Sequence, residues 1–159
     1  MMSNAISFRS ALEEDAAFLS ELAFRSKGYW GYSDEFMAAC VDELSVSAQS
    51  IKNDGFHYVL ALVGSDIAGF YTLESLIDDE IELGALFVDP VFIGTGVGKA
   101  LMNRAKKHAL NLRVKKLNIQ GDPNAEQFYL ALGAVLTGSK ASESIANRFL
   151  PTFQIQLDR

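Results

Sequence analysis

The chain has 159 residues, 49% of them hydrophobic, and 14 basic residues against 20 acidic ones give a net charge of −6. This length is enough to bury a core, and no linker, repeat or low-complexity tract divides it, so we expect one domain over residues 1–159. A negative net charge repels nucleic acid, so we expect no nucleic-acid partner.

Metal, disulfide and membrane classes are also disfavoured. The single cysteine, Cys40, excludes an intramolecular disulfide, and His57 and His108 lack the spacing of metal ligands, so we predict no metal. No apolar run approaches the roughly twenty residues that cross a membrane, and residues 1–6 lack the pattern of a signal peptide. We therefore expect a cytoplasmic protein without a membrane partner.

The first third of the chain predicts a strand and two helices. Residues 6–9 alternate apolar and polar side chains, as a half-buried strand does. A helix follows the acidic residues 13–15, and its apolar positions have helical spacing. These positions are Ala16, Leu19 and Ala23, flanked by Phe18 and Leu22. A second helix begins at Ser33 or Asp34 and continues to just before Asn53. Its apolar side carries Phe36, Met37, Cys40, Val41 and Leu44.

The remaining elements alternate between strands and helices. Residues 57–63 and 67–76 form an antiparallel pair around the turn at 64–66, and residues 80–88 form a third strand. We expect Ile81, Leu83, Ala85 and Phe87 on one face of that strand. A long amphipathic helix follows, then a strand at 117–120, a helix at 125–132 and strands at 134–136 and 149–157. The order β-α-α-β-β-β-α-β-α-β-β predicts an α/β (α+β) fold with a mixed central sheet and helices on both faces.

A glycine-rich segment follows the third of these strands and opens the long helix. Gly94, Gly96 and Gly98 let backbone N–H groups approach an anion, and the helix start adds unpaired N–H groups and a positive dipole end. The segment differs by one position from a dinucleotide fingerprint, which needs glycine at Lys99, and from a P-loop, which needs a longer loop and Ser or Thr at Ala100. Taken alone, it is equally compatible with a phosphate site and with glycines that merely end a strand and begin a helix.

A second informative segment is residues 122–134, Asp-Pro-Asn-Ala-Glu-Gln-Phe-Tyr-Leu-Ala-Leu-Gly-Ala. Asn124 suits the start of a helix, Gly133 suits its end, and Phe128 supplies a buried face. Tyr129 points to a different side from Phe128. Considered alone, Tyr129 is more often a half-buried packing residue than a catalytic one.

Together the two segments closely resemble the GNAT superfamily of N-acyltransferases. The glycine turn is similar to the family's coenzyme A pyrophosphate loop, although Ile93 stands where Arg or Gln is usual, and the second segment is similar to its N-A-x-x-F-Y-x-x-x-G pattern. The resemblance implies acetyl-CoA as acyl donor and a set of coenzyme A-binding residues. These are Leu86, Phe87, Val88, Ile93, Gly94, Thr95, Gly96, Val97, Gly98, Lys99, Asn124 and Phe128.

The resemblance further implies direct transfer of an acetyl group to a primary amine of an unidentified small molecule or peptide. Glu82 is the candidate base, with Glu80 in reserve, although both would equally suit a solvent-facing strand. The family's β-bulge near residues 86–88 would free the N–H of Val88 to stabilise the oxyanion, and Tyr129 would protonate the thiolate. The alternatives are an acyl-CoA-binding regulatory module without catalysis and, less favoured, a nucleotide-binding protein.

The acceptor side is the least defined part of the sequence. Trp30 and Tyr32 join the first two helices in the region that lines the acceptor cleft of this superfamily, where they could stack on a cation or anchor the loop to the core. A covalent route through Cys40 is disfavoured because this residue lies on the apolar side of a helix without a neighbouring histidine. The sequence leaves a homodimer open.

Overall fold

The computed structural model describes residues 5–157, which form one seven-stranded sheet with helices on both faces. The strands are β1 (Ile6–Ser10), β2 (His57–Val63), β3 (Asp66–Ile77), β4 (Glu80–Val88), β5 (Lys116–Gln120), β6 (Val135–Ala141) and β7 (Phe149–Gln156). The helices are α1 (Ala16–Gly28), α2 (Asp34–Ala39), α3 (Val41–Leu44), α4 (Ala48–Lys52), α5 (Val97–Asn111) and α6 (Glu126–Ala131). Residues 1–4, part of the segment without a signal-peptide pattern, lie outside the described residues.

The sheet is mixed, as the sequence predicts. Its strand order is β1-β2-β3-β4-β5-β7-β6, and β4 with β5 is the parallel pair, connected through α5. The other neighbours are antiparallel, including the predicted β2–β3 hairpin, in which Gly64 adopts the left-handed φ of +63°. The predicted fold class is therefore confirmed, whereas the single-domain assignment stays a prediction.

Two hydrophobic clusters lie on opposite faces of the sheet. Helix α5 buries Leu101, Met102 and Ala105 on one face, against side chains such as Leu83 of β4. Helices α1–α3 cover the other face and bury a second set of apolar side chains. That set includes Leu19, Leu22, Ala23, Met37, Cys40 and Leu44 together with Leu60 and Phe70 of the sheet.

The predicted second helix is wrong as a single element, because the structure divides it into α2, α3 and α4. Helix α3 ends at Leu44. The hydroxyl of the next residue, Ser45, donates to the Val41 carbonyl, and the N–H of Val46 donates to Ser20 Oγ of α1 at 2.7 Å. Serine side chains compete in this way with helical hydrogen bonds. Val41, expected to be buried, is exposed as a result.

Strand β4 changes faces at a β-bulge, so the prediction that four of its side chains share one face is wrong. Leu73 pairs with Leu83 but Thr72 pairs with Ala85, which leaves Gly84 as an extra residue in β4. A one-residue insertion reverses the direction of the side chains beyond it. Ile81 and Leu83 consequently face α5, whereas Ala85 and Phe87 face α1.

Beyond the bulge, β4 also separates from β5. The parallel pairing runs from Glu80 opposite Lys116 to Leu83 opposite Ile119, and residues 84–88 pair with β3 alone. The sheet therefore opens between β4 and β5 at the end where β4 leads into the glycine turn.

Within residues 5–157, no helix is long and apolar enough to cross a membrane. The same part of the chain contains no cluster of three or more His, Cys, Asp or Glu side chains arranged as metal ligands.

His108 is packed on α5 away from this opening. Its Nδ1 lies 2.7 Å from the hydroxyl of Tyr71, and its ring is 5.1 Å from that of His57. Burial, followed by the charges of His57 and Arg104, lowers the pKa of His108. The folded protein therefore favours the neutral imidazole.

This environment predicts a pH-dependent stability. The unfolded chain, in which the pKa of His108 is about 6.5, takes up a proton that the folded protein resists, so the free energy of unfolding should decrease as the pH falls below about 6.5. Urea denaturation between pH 5 and 7.5 measures this dependence. The decrease should be smaller in His108→Gln, and equal slopes for the two proteins would contradict the assignment.

Candidate active site

A cleft of about 550 Å³ lies where β4 and β5 separate. Its walls come from β4, the glycine turn before α5, the segment leading into α6 and the end of α1 with the loop after it. Most of the residues predicted to form the site line this cleft. They are Trp30, Glu82, Leu86, Phe87, Val88, Ile93, Gly94, Gly96, Gly98, Lys99, Asn124, Phe128 and Tyr129.

Beyond the bulge, β4 presents main-chain groups to the cleft. Val88 lies opposite Gly69, and the N–H of Asp89 donates to Ala68 at 2.8 Å. Because residues of an antiparallel pair alternate between bonded and non-bonded positions, the N–H and C=O of Val88 and Leu86 point away from β3. With β5 absent at this level, these groups face the opening between the two strands.

The turn into α5 forms a cradle of unpaired amides. Within residues 5–157, the backbone N–H groups of Gly94, Gly96, Val97, Gly98 and Lys99 have no protein acceptor. Helix α5 has 15 residues, so its dipole adds positive potential at this end. Together these groups make an anion-binding site at the mouth of the cleft.

The glycines of the turn are required by its conformation and its packing. Gly94 and Gly96 have φ angles of +83° and +89°, in the left-handed region that side chains disfavour. Gly98 lies under the ring of Phe128, which a Cβ at this position would approach to 3.3 Å. Thr95 lies outside the lining, and its amide and hydroxyl both donate to the Phe92 carbonyl. Val97 is buried in the core, so only its amide is available to a ligand.

An ionic network closes the cleft beside α6. Asp122 accepts hydrogen bonds from Lys27 at 3.2 Å and from the Tyr32 hydroxyl at 2.8 Å. That hydroxyl in turn accepts from Arg148 at 2.7 Å and from the Asn124 amide at 2.9 Å. Tyr32, predicted to contact the acceptor, therefore belongs to this network and lies outside the cleft lining, whereas Trp30 lines the cleft.

The electrostatics of the network favour the charged carboxylate. Burial works to raise the pKa of Asp122, but hydrogen bonds from the Asn124 N–H and from Tyr32, with the charge of Lys27, outweigh it and lower the pKa. The pKa of Tyr32 is raised to about 12 by burial and by its hydrogen bond to Asp122. The phenol therefore stays protonated and holds the network together.

Tyr129 is buried at the base of the cleft, on α6. Its ring contacts Phe128 and Phe153, with centroids 5.2 and 5.3 Å away, and it approaches Gly121 so closely that a Cβ there would lie 2.7 Å from its Cε2 atom. Burial, followed by the charge of Asp122, raises the pKa of Tyr129. Its phenol is consequently neutral at physiological pH.

Three glutamate carboxylates also line the cleft, one of them on the part of β4 that precedes the bulge. Glu82 of β4 lies directly opposite Glu74 of β3, and Glu43 of α3 lines the same space. Burial and the charge of Glu82 raise the pKa of Glu74, although a hydrogen bond from Thr72 opposes them. Glu80, the reserve base, lies outside the cleft lining and accepts a hydrogen bond from Asn118.

Sequence reasoning missed Glu74 and Glu43. The signal for Glu74 was the antiparallel pairing of β3 with β4, which brings a residue of β3 across from Glu82. The signal for Glu43 was weaker, because it depends on how α3 is placed against the sheet.

The family model described as an acetyltransferase (GNAT) domain matches residues 16–145 of the chain. None of the curated proteins matches the chain.

Several solved structures share the fold. PaiA N-acetyltransferase from Thermoplasma acidophilum, in complex with coenzyme A, aligns with a TM-score of 0.76 and 20% identity over 96% of this chain and 99% of that one. YncA, a putative acetyltransferase from Salmonella typhimurium with its cofactor acetyl-CoA, aligns with a TM-score of 0.70 and 16% identity over 98% of this chain and 95% of that one. The ribosomal-protein-S18-alanine N-acetyltransferase from Escherichia coli aligns with a TM-score of 0.74 and 14% identity over 98% of this chain and 96% of that one.

The Asp122 network predicts a large dependence of stability on one carboxylate. Asp122→Ala leaves Lys27, of which only 9% is exposed, without its anion, and breaking such a buried pair costs about 3 kcal/mol. Chemical denaturation at pH 7 measures the loss. As a control, Arg25→Gln breaks the more exposed Arg25–Asp89 pair and should cost about 1 kcal/mol or less. Equal losses in the two variants would contradict the prediction.

Proposed function

Because the chain belongs to the GNAT acetyltransferase family, we propose that it transfers an acetyl group from acetyl-CoA directly to a primary amine of a small molecule or peptide. The observation that carries the proposal is the meeting, in one cleft, of unpaired amides at the start of α5 and unpaired main-chain groups of β4. The first suit a diphosphate and the second suit an extended amide-containing arm.

The cleft fits the donor in charge and in shape. The pyrophosphate would be held by the amides of Gly94, Gly96 and Gly98, which are exposed or half-buried, with Lys99 beside them. Ile93 supplies no charge, so binding relies on main-chain groups. The pantetheine arm would follow β4, where the free N–H and C=O groups of Leu86 and Val88 resemble the unpaired edge of a strand.

The β4 amides also serve the reaction. Negative charge develops on the thioester oxygen when nitrogen attacks, and an N–H already fixed in place stabilises that charge without reorganisation. The N–H of Val88 points into the opening between β4 and β5, which supports this role. Such a donor typically contributes about 3 kcal/mol of transition-state stabilisation.

The proton balance defines what the side chains must do. An ammonium acceptor carries three protons on nitrogen, and the amide product keeps one. One proton goes to a carboxylate of the cleft and then to solvent, which produces the neutral amine. After the N–C bond forms and the C–S bond breaks with its electron pair on sulfur, the other proton must reach the thiolate. The family resemblance implies Glu82 as this carboxylate, and Tyr129 is the group proposed to serve the thiolate.

The position of Tyr129 supports its role. It lines the cleft on α6, and burial keeps its phenol protonated, so the proton is available when the thiolate forms. The phenolate then takes from the new amide nitrogen the second proton that this nitrogen must lose, and the amide keeps one N–H. Tyr129 acts in this way as a relay between nitrogen and sulfur.

The acceptor end favours a cation. Glu43, Glu74 and Glu82 line it, and the indole of Trp30 lines the same cleft and is suited to a cation–π contact. A protonated amine is therefore the substrate form that this part of the cleft attracts.

Acetyl-CoA binding is the first test. At one hundred times its Kd, acetyl-CoA should raise the free energy of unfolding by about 2.7 kcal/mol, whereas NAD and ATP should not. Gly96→Ala should weaken acetyl-CoA binding about tenfold, by roughly 1.5 kcal/mol, because it disturbs amides that bind the diphosphate.

The matched control is Gly64→Ala. Gly64 has a similar left-handed φ of +63° and equally open surroundings, but it lies in the β2–β3 turn. Both substitutions should destabilise the chain by about 1–2 kcal/mol, and Gly64→Ala should leave the Kd for acetyl-CoA unchanged. Stabilisation by NAD instead of acetyl-CoA would reject the proposed donor.

The relay role predicts the behaviour of Tyr129→Phe. This variant should bind acetyl-CoA normally but reduce kcat about 100-fold, measured as release of free thiol with an accepted amine. Tyr71→Phe is the control, because Tyr71 is also a buried tyrosine but lies outside the cleft lining, and the kcat of this variant should be close to that of the wild type. Full turnover by Tyr129→Phe would remove Tyr129 from the mechanism, and binding without turnover in the wild type would favour a regulatory module.

A further inference from the structure

We propose that Glu74 of β3 is the group that accepts the ammonium proton of the acceptor amine, and that Glu82 acts on this proton through Glu74. The inference rests on the proposed function, since it assigns a step in that reaction. In place of Glu82 of β4 acting alone, the inference assigns the proton transfer to the facing pair of Glu74 and Glu82. Within this pair, Glu74 of the neighbouring strand β3 is the base.

The Glu74 carboxylate lies in the space left by the absent side chain of Gly84. A Cβ at Gly84 would overlap with Oε1 of Glu74 and would lie 2.9 Å from Oγ1 of Thr72. The Thr72 hydroxyl donates to Oε1 at 3.2 Å and fixes its orientation. The carboxylate therefore lies against the β4 backbone at the bulge, next to the point where β4 leaves β5.

The backbone of β3 is also unusual next to Glu74. The pairing of β3 with β4 shifts between Glu74 and Ile77, and Ser75 adopts a φ of +56° although it is not glycine. Such a conformation costs free energy and is found where function requires a particular placement. Without this shift, Glu74 would lie opposite Leu83; with it, Glu74 lies opposite Glu82 on the face covered by α1–α3.

Within residues 5–157, neither Glu74 nor Glu82 belongs to an ion pair. Lys27, which lines the same cleft, and Arg148 are both bound to Asp122. Like charges directly opposite each other on two strands are destabilising. A cationic substrate would relieve this repulsion, which gives the pair a ligand of defined charge.

The surroundings also make Glu74 the better base of the two. The titratable groups that face it are Glu82 of β4, Tyr58 of β2 and, across the cleft, Glu43 of α3. Burial first, and then the charge of Glu82, raise the pKa of Glu74. A carboxylate whose pKa is raised toward neutrality takes a proton from an ammonium group more readily than an ordinary glutamate does.

The step balances as a simple proton transfer. One N–H bond of the ammonium breaks, its electron pair remains on nitrogen as the nucleophilic lone pair, and an O–H bond forms on Glu74. The proton leaves to solvent through the open side of the cleft after the acetyl group has moved. No oxidant or metal takes part in this step.

The test uses Glu74→Gln and Glu82→Gln, whose expected effects differ in kind. With acetyl-CoA and the fastest amine from a panel of diamines, amino-acid amides and lysine peptides, Glu74→Gln should lower kcat/KM about 100-fold. Glu82→Gln should keep most of the activity at high pH and move the acidic limb of the pH–rate profile to lower pH, because Glu74 loses a repelling charge. The reverse pattern would identify Glu82 as the base and overturn the proposal.

A titration without acceptor provides a second readout. In protein labelled with ¹³C-glutamate, the carboxyl resonance missing from Glu74→Gln should titrate above the usual value of about 4.3 and move down in Glu82→Gln. A midpoint at the usual value, unchanged in Glu82→Gln, would overturn the proposal even if no amine in the panel reacts. Thermal shift with acetyl-CoA distinguishes failure of the proposed function from failure of this inference. Absence of binding to the wild type would refute acetyl-CoA as the donor. If both variants bind acetyl-CoA normally, a negative result refutes only the role of Glu74.

Discussion

The separation of β4 from β5 after Leu83 is the constraint on which the cleft depends. A continuous parallel pair would have used the N–H and C=O groups of Leu86 and Val88 in the ladder and left no opening between the strands. The extra residue at Gly84 bends β4 and reverses the direction of its side chains, so Leu86 and Val88 turn toward α5 while their main-chain groups face the opening. The bulge therefore shapes the site and divides the hydrophobic core between its two faces.

The two ends of the cleft have opposite electrostatic character, which explains how a chain of net charge −6 can bind a polyanion. At the donor end, positive potential comes from main-chain amides and the dipole of α5, and these contributions are independent of net charge. At the acceptor end, the carboxylates of Glu43, Glu74 and Glu82 attract a cation. The Asp122 network uses Lys27 and Arg148 internally, so these cations do not pair with the acidic residues of the cleft.

The sequence was sufficient to predict the order of the strands and the turn that opens α5, because both depend on local signals such as periodicity, turn residues and helix starts. It was insufficient for the acceptor end, because that end depends on register. The Asp78–Asp79 turn pairs Ile77 with Glu80, and a regular hairpin continuing from there would place Glu74 opposite Leu83. Two bulges, one after Glu74 and one at Gly84, shift the intervening pairs by one residue and then restore the register. Hydrophobic alternation cannot reveal such compensating shifts, which is also why Ala85 and Phe87 were assigned to the wrong face.

The proposed reaction requires two proton carriers with opposite properties, and Glu74 and Tyr129 are the residues proposed for them. A carrier that finally releases its proton must have access to water, and Glu74 is half-buried beside the open part of the cleft. A carrier that serves sulfur must not lose its proton to solvent, and Tyr129 is only 6% exposed. Its raised pKa makes donation to a thiolate, whose conjugate acid has a pKa of about 8.5, unfavourable as an isolated step. In the proposed relay, transfer of a proton from the new amide nitrogen to the phenolate would offset this unfavourable step, so protonation of sulfur would accompany formation of the new N–C bond.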